Sequence, residues 1–305
     1  MRRRPDLPVY CSANGVKSLR GLYHQDWDFH VVKTGDEFQL GNGKKLVFIE
    51  APMLHWPDSM FSYMTGDAIL FSNDAFGQHI ATEKLFNDLV DQDELYDEAI
   101  KYYANILTPF SPLVKAKIEQ VLSFNLPVNM IATSHGVIWR DNPTQIVLKY
   151  LEWAQDYKED RVTILYDTMW EGTRALADTF ARAINDASPS TTVVSHCLSK
   201  FDKNDSLTDL FRSKAVLVGS PTVNKGILTA VAATLEEIKG LKFKGKKAAA
   251  FGSYGWSGES VKVIGEALKS SGFDVVDDGF KALWNPDADT LAAAYEYGKA
   301  FAAKI

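Results

Sequence analysis

"RVTILYDTMWEGTRALADTFARAINDA" (161–187) decides the fold. "RVTILYD" (161–167) is a short apolar run with β-branched residues, which reads as a buried strand. "RALADTFARAINDA" (174–187) follows with helical spacing. The alternation then continues to Ile305: "TTVVSHCL" and "DSLTDLFRS", "AVLVGS" and "ILTAVAATLEEIKG", "KKAAAFGS" and "ESVKVIGEALKSSG", "FDVVDDGFKA" and "DADTLAAAYEYGKAFAAKI". Five strands, each followed by a helix, imply βαβ units and a parallel sheet. That is enough for a complete doubly wound α/β domain.

Upstream the rhythm changes. "FHVVKTG" (29–35), "FQLGNGKKLVFIEA" (38–51) and "FSYMTGDAILFSND" (61–74) are strand-like runs set close together. "GNG" (41–43), between "FQL" and "KKLVF", is a hairpin signal. A helical stretch is expected over roughly 92–123, and "PVNMIATSHG" (127–136) reads as a short strand ending in a loop. "DNPTQIVLKYLEWAQDY" (141–157) predicts a helix starting near Asn142, with Pro143 in its first turn. The mixture is α+β with an antiparallel sheet, and the chain divides into 1–158 and 159–305.

The bulk numbers agree with two ordinary domains: 305 residues, 46% apolar and 24% charged. A net charge of −6 implies no basic face, so nucleic acid is excluded as a partner. Cys11 and Cys197 stand far apart, with no CxxC pair and no disulfide framework, which points to a reducing, cytoplasmic compartment. No apolar run approaches the length of a membrane span. "MRRRPD" is basic but leads into no hydrophobic segment, so it is not a secretory signal.

Ligands of an open α/β sheet sit outside the carboxyl ends of its strands. After the first strand of the second half comes "DTMWEGT" (167–173), with Thr168, Met169, Trp170, Gly172 and Thr173 as candidates. It is no dinucleotide fingerprint, but two hydroxyls and a helix N-terminus are the donors a phosphate needs. After the third strand, "SPTVNKG" (220–226) offers Ser220, Pro221, Thr222, Asn224 and Gly226 for polar edge contacts. After the fourth, "SYGWSG" (253–258) offers Ser253, Tyr254, Gly255, Trp256, Ser257 and Gly258, an aromatic pair among small residues. A flat aromatic ligand with a phosphate tail suits all three loops. Singly, each has a plainer reading: a threonine N-cap in the first loop, a packing role for Trp256. Together, at one end of one sheet, they are harder to explain by packing. "GLKFKGKK" (240–247) nearly matches a P-loop, but it lacks the Ser/Thr after GK and runs from helix to strand, the wrong order.

In the first half, "MLHWPD" (53–58) places His55 directly after the apolar run "LVFIEAP". Alone, it reads as a core histidine with one hydrogen bond. Asp74 in "SNDAFG" and His135 in "TSHG" also follow apolar strands, where polar groups can converge on one edge of a sheet. Alone, Asp74 reads as an Asx-turn residue and His135 as a loop histidine.

"YDTMW…T", "VLVGSPTVNKGILT" and "AFGSYGWSGES" resemble the flavodoxin domain of the flavodiiron proteins. "MLHWPDSM", "LFSNDAFGQH", "YYANILTPF" and "IATSHGVIWRDNP" resemble the metallo-β-lactamase-like domain of the same family. The resemblance runs from about residue 8 to the end and lies nearest the flavorubredoxin branch, the anaerobic nitric oxide reductases. It implies a partial metallo-β-lactamase-like α+β domain followed by a flavodoxin-like five-stranded parallel sheet. It implies FMN in the second domain and iron in the first, with His55 and His135 each serving one iron and Asp74 bridging the pair. Imidazole and carboxylate suit non-haem iron.

The activity implied is FMN-mediated electron transfer to a diiron centre that reduces nitric oxide, dioxygen or both. With no CxxC pair in the chain, an external donor such as a rubredoxin or its reductase is implied. So is a homodimer or larger assembly, in which one subunit's flavin serves the other's irons. The family's remaining ligands come from an H-x-E-x-D-H motif upstream of the point corresponding to Met1. "LYHQDWDFH" (22–30) does not replace it: His24 and His30 flank Asp26 and Asp28 without the glutamate or the D-H pair. The first domain is therefore expected to be N-terminally truncated and its diiron site incomplete. Two readings from other classes stay open: an FMN-binding electron-transfer module without a catalytic metal, and a binding or regulatory protein on the same scaffold.

Overall fold

The structure, a computed structural model, describes residue 4 and residues 6–305, in two compact units, Met1–Gln155 and Asp156–Ile305. In the first unit β1 (Val9–Cys11) and β2 (Phe29–Val31) pair in parallel, joined by α1 (Ala13–Tyr23). The sequence reading does not anticipate α1. Its start signal is Ser12, whose hydroxyl accepts from the Gly15 N–H as an N-cap. "FHVVKTG" thus contributes to this small sheet and not to the larger antiparallel one.

The larger sheet runs in the order β3 (Glu37–Gly41), β4 (Lys44–Glu50), β5 (Met60–Met64), β6 (Ile69–Asn73), β7 (Met130–Thr133). β3 to β6 are antiparallel, as the close spacing of the runs implies. The β3–β4 turn has Asn42 and Gly43 both at positive φ, the conformation of a tight hairpin. β7 pairs parallel to β6 because the chain between them is a helical crossover.

That crossover is not the continuous helix expected over 92–123. It divides into α2 (Gln92–Tyr102), a π-helical turn at Tyr103–Leu107, a 3₁₀ turn at Thr108–Phe110 and α3 (Ser111–Ser123). The break has a cause in the sequence: Pro109 and Pro112 have no N–H to give to carbonyls four residues back, so the ladder shifts register. α4 (Thr144–Trp153) follows, with Pro143 at its N-cap.

The second unit alternates strand and helix until two short strands come in succession before the last helix. Its elements are β8 (Glu159–Tyr166), α5 (Gly172–Ala187), β9 (Thr192–Cys197), α6 (Lys203–Arg212), β10 (Ser213–Gly219), α7 (Thr229–Leu241), β11 (Lys247–Tyr254), α8 (Ser260–Ser270), β12 (Asp274–Val275), β13 (Phe280–Leu283) and α9 (Ala288–Ala302). All pairs are parallel, in the order β12-β11-β10-β8-β9, with β13 also on β11. This is a doubly wound sheet whose strand order reverses between β8 and β10.

"FDVVDDGFKA" differs from its reading as one strand, since it forms both β12 and β13. Gly279, at φ 83°, lies so close to β11 that a Cβ there would sit 2.3 Å from the Ala250 carbonyl oxygen. Asp277 fixes the kink by accepting bonds from the Gly279 N–H, the Tyr297 hydroxyl and the Lys304 ammonium. The core is formed by Val162, Ile164, Leu217 and Phe251 of the sheet against Leu176, Phe180 and Ile184 of α5 and Phe301 of α9. Among the described residues, no helix is long and apolar enough to cross a membrane.

Candidate functional sites

At the carboxyl end of the second unit's sheet lies a cavity of about 810 Å³. Ten of the residues nominated from sequence line it: Met169 and Trp170; Pro221, Thr222 and Asn224; and Ser253, Tyr254, Gly255, Trp256 and Ser257. Val223 and Lys225 join them from within the same loops. Trp284 and Asn285 also line it and were missed. They follow β13, so the rule that ligands gather at strand carboxyl ends, applied to the fifth strand, finds them in "LWNP".

The first loop leaves donors unsatisfied. No side chain caps α5, which leaves its first N–H groups facing the loop. The Thr168 hydroxyl is buried and has no partner. A buried orphan donor at a helix N-terminus is what a phosphate oxygen satisfies. Gly172 lies where a Cβ would meet the Asn285 amide oxygen at 2.9 Å. The Thr173 hydroxyl is 3.2 Å from that of Ser253, tying the first loop to the last.

The other nominated residues divide between lining and support. Ser220 is buried and its hydroxyl is engaged inside the protein, donating to the Pro221 carbonyl and accepting from the Leu228 N–H. It shapes the second loop. Gly226 pairs with Val223 through two backbone bonds, closing a turn with Asn224 and Lys225 at positive φ. The Thr222 hydroxyl donates to Ser260 and accepts from the Ser260 N–H, so it holds the start of α8. Gly258, at φ 69°, supports the face of the Tyr254 ring, which a Cβ would approach to 3.2 Å. The Trp284 N–H donates to the Tyr254 carbonyl at 2.7 Å. Trp170, Trp256 and Trp284 are 81%, 86% and 64% exposed, so their rings are available to a flat ligand and are not core packing. Orphan hydroxyl, helix N-terminus and aromatic walls together fit FMN.

In the first unit His55, Asp74 and His135 are brought together. The Nε2 of His55 is 3.5 Å from Oδ2 of Asp74, and the Nε2 of His135 is 3.9 Å from Oδ1. The Ser134 hydroxyl donates to the same Oδ1 at 2.8 Å. The His135 ring is oriented by Nδ1 against the Gln78 carbonyl at 3.1 Å and Nε2 against the Tyr102 hydroxyl at 3.3 Å. His79, not nominated from sequence, stands 5.1 Å from the His135 ring and 5.0 Å from that of Tyr102, centroid to centroid. Its signal was its place in "DAFGQH", five residues after Asp74.

Burial lowers the His55 pKa, against the pull of the Asp74 carboxylate. Burial, then Asp74, pushes the Tyr102 phenol far up, so it stays protonated. The two imidazoles address different oxygens of one carboxylate, and the donor types suit non-haem iron. Their number does not suit two ions. Three protein donors make an open site for one metal at most. Among the described residues no group of three or more His, Cys, Asp or Glu is arranged to hold an ion. The residues present do not fit a two-iron centre.

Comparison with known proteins places both units. Residues 164–298 match the flavodoxin family model, and residues 7–136 match the ODP family beta lactamase. The chain is 56% identical over 300 residues to the anaerobic nitric oxide reductase flavorubredoxin of Klebsiella pneumoniae, covering 98% of this chain and 62% of that protein. It is 56% identical over 303 residues to the protein of that name from Aeromonas salmonicida, covering 58% of it. The chain thus spans about three fifths of the length of these curated relatives. Among solved structures, the rubredoxin oxygen:oxidoreductase of Desulfovibrio gigas superposes with a TM-score of 0.92 at 38% identity, over 98% of this chain and 73% of that one. The flavodiiron protein of Giardia intestinalis gives 0.91 at 30% identity, over 97% and 73%. A flavodoxin domain implies FMN, and with this likeness running through both of its units the chain belongs to the flavodiiron protein family.

Proposed function

We propose that this chain is an FMN-dependent oxidoreductase of the flavodiiron type, whose flavin passes electrons toward the reduction of nitric oxide, dioxygen or both. The observation that carries the reading is the unpartnered, buried Thr168 hydroxyl in the loop before α5, next in the chain to Met169 and Trp170, which line an aromatic-walled cavity.

When bound, FMN supplies the exchange between one- and two-electron chemistry. The chain's residues do the rest. Thr168 and the α5 N–H groups hold the phosphate, Thr173 and Ser253 steady the first loop against the last, and Asn224, Ser257 and Asn285 offer polar contacts along the ligand. Tyr254, Trp256 and Trp284 enclose a ring system and exclude water from its face, which tunes how strongly each redox state is held. Relatives 56% identical to this chain are flavorubredoxins, which supports a rubredoxin-type electron donor. A homodimer or larger species belongs to the same proposal, to be read by light scattering.

A second reading has an observation of its own. Because His55, Asp74 and His135 do not make up a two-iron set, the 305-residue chain by itself acts as a flavin electron-transfer module, and the gas-reducing step belongs to an enzyme with further ligands. Flavin titration tests the first claim: purified chain takes up about one FMN, as a single built cavity requires. Protein that binds no FMN overturns both readings. Nitric oxide and oxygen consumption by FMN-loaded chain with a chemical reductant then separates them.

A further inference from the structure

A second cavity, of about 100 Å³, lies inside the first unit between its sheet and helices α3 and α4. Its inner end is closed by Phe61, Phe76 and Ile131, all at or below 2% exposure. Toward the other end it is lined by Leu122, Leu126 and Val128, where the chain leaves α3 and comes to the surface. Only two lining residues carry a hydroxyl, and both are engaged elsewhere. Tyr63 donates to the Pro127 carbonyl at 2.7 Å, and Thr144 to the Asn142 side chain at 3.1 Å. The space is therefore roomy enough for water but offers it no free side-chain hydroxyl, and a predominantly apolar cavity of that kind favours apolar guests.

The inner wall has a second feature. Phe76 belongs to the loop that carries Asp74, two residues on. There the chain takes positive φ, which turns the Phe76 ring into the cavity. The loop is fixed in that pose: the Phe76 N–H donates to the Tyr150 hydroxyl, and its carbonyl accepts from the Trp139 indole and the Gln78 amide. One short loop thus presents Asp74 to the two histidines on one side and closes an apolar, surface-reaching cavity on the other.

We infer that this cavity is a binding site for a small uncharged diatomic gas, held against the Phe76 ring of the Asp74 loop. The inference rests on the proposed gas reduction for its biological sense and on the cavity alone for its chemistry. Nitric oxide and dioxygen share that chemistry: both are apolar enough to prefer an apolar pocket to water, and both are smaller than the space.

Both gases are also paramagnetic, which gives a test that reads occupancy and not turnover. In the FMN-loaded chain with methyl-labelled Ile, Leu and Val, the Ile118 and Ile131 methyls should relax faster under dissolved nitric oxide, dioxygen or both than the Leu148 methyls, which are 62% exposed on α4. Separate titrations say which gas enters. Val147→Phe, which fills the space from α4, should abolish the excess relaxation, and Ile118→Val, which enlarges it slightly, should preserve it at Ile131. Should Val147→Phe fail to fold, xenon-pressurised crystals of the unmodified chain give the same reading through a peak between Phe76, Ile118 and Val147. Excess relaxation with no gas consumption counts against the proposed function and supports this inference. Relaxation no faster than at Leu148, or ordered water or an acyl chain filling the cavity, overturns it.

Discussion

Gly77 stands so close to His135 that a Cβ on it would lie 2.4 Å from the ring carbon Cε1 and 2.8 Å from Nδ1. No side chain, not even alanine's, fits without moving the imidazole. The ring has little room to move, because Nδ1 faces the Gln78 carbonyl and Nε2 the Tyr102 hydroxyl. Gly77→Ala should therefore lower stability by about 1–3 kcal/mol, the usual size of an overpacking penalty. It should also shift the His135 ring resonances. An unchanged urea midpoint together with an unchanged His135 signal would show that the loop yields more easily than its bonds suggest.

The flavin prediction separates phosphate from ring. Thr168→Val keeps the shape of the first loop and removes its orphan hydroxyl. Losing one hydrogen bond to a charged group should weaken FMN by about 1.5–3 kcal/mol, a factor of about 10 to 150, while riboflavin, which has no phosphate, is unaffected. Trp256→Ala should weaken both by about 0.5–1.5 kcal/mol beyond the lost contact area, the size of a stacking contribution. A Thr168→Val chain that loses riboflavin as strongly as FMN would mean the loop has collapsed and that Thr168 does not address the phosphate.

These two sites differ in how far they were legible. The second unit declared itself because its central strands β8, β10 and β11 are largely buried and read as apolar runs, each with a helix after it. Its ligand loops could be located before any contact was known. Trp284 and Asn285 escaped because "FDVVDDGFKA" looked like one strand, and the Gly279 kink that splits it depends on the Ala250 carbonyl, a long-range neighbour. In the first unit, His55, Asp74 and His135 were nominated through family motifs. Periodicity alone would have left each as a loop or core residue. His79 and Tyr102 complete that cluster only through folding, since a π-helical turn beyond Tyr102 sets the phasing of the crossover. α1 was missed because "ANGVKSLRGLY" contains two glycines, which weaken a helical reading, and its start rests on the Ser12 cap.

Lys246 gives a pH prediction. It is 3% exposed, and its ammonium faces the carbonyls of Ser213 at 2.6 Å, Phe211 at 2.7 Å and Tyr157 at 3.3 Å. Burial, and then the nearby Lys158 charge, lowers its pKa to about 7. Between that value and the ordinary lysine pKa of about 10.4, the unfolded chain holds a proton that the folded chain has released, so stability rises with pH across the window. Below it both states are protonated and the burial cost is fully present. Lys246→Met removes this slope while leaving three carbonyls without their donor, so it should melt lower at every pH. The gap in denaturation midpoint between the two proteins should widen from about pH 7 to about pH 9. A constant gap would mean that the three carbonyls keep the amine charged throughout.

The metal prediction follows from counting donors. His55 and His135 address opposite oxygens of Asp74, so two ions placed there would each receive one imidazole and a share of one carboxylate. Water and buffer compete well against such a set, and Fe²⁺ stands low in the divalent affinity series. An imidazole must be neutral to bind a metal ion, so any uptake weakens as pH falls. The chain should therefore carry less than about one iron, a single open three-donor site being the most these residues can form. Nitric oxide and dioxygen should be consumed slowly or not at all by the FMN-loaded protein. Elemental analysis after anaerobic loading with Fe²⁺ decides the matter. About two irons per chain would require donors beyond these three, with His79 the first to replace by Ala, and would assign the full two-iron reduction to this chain by itself.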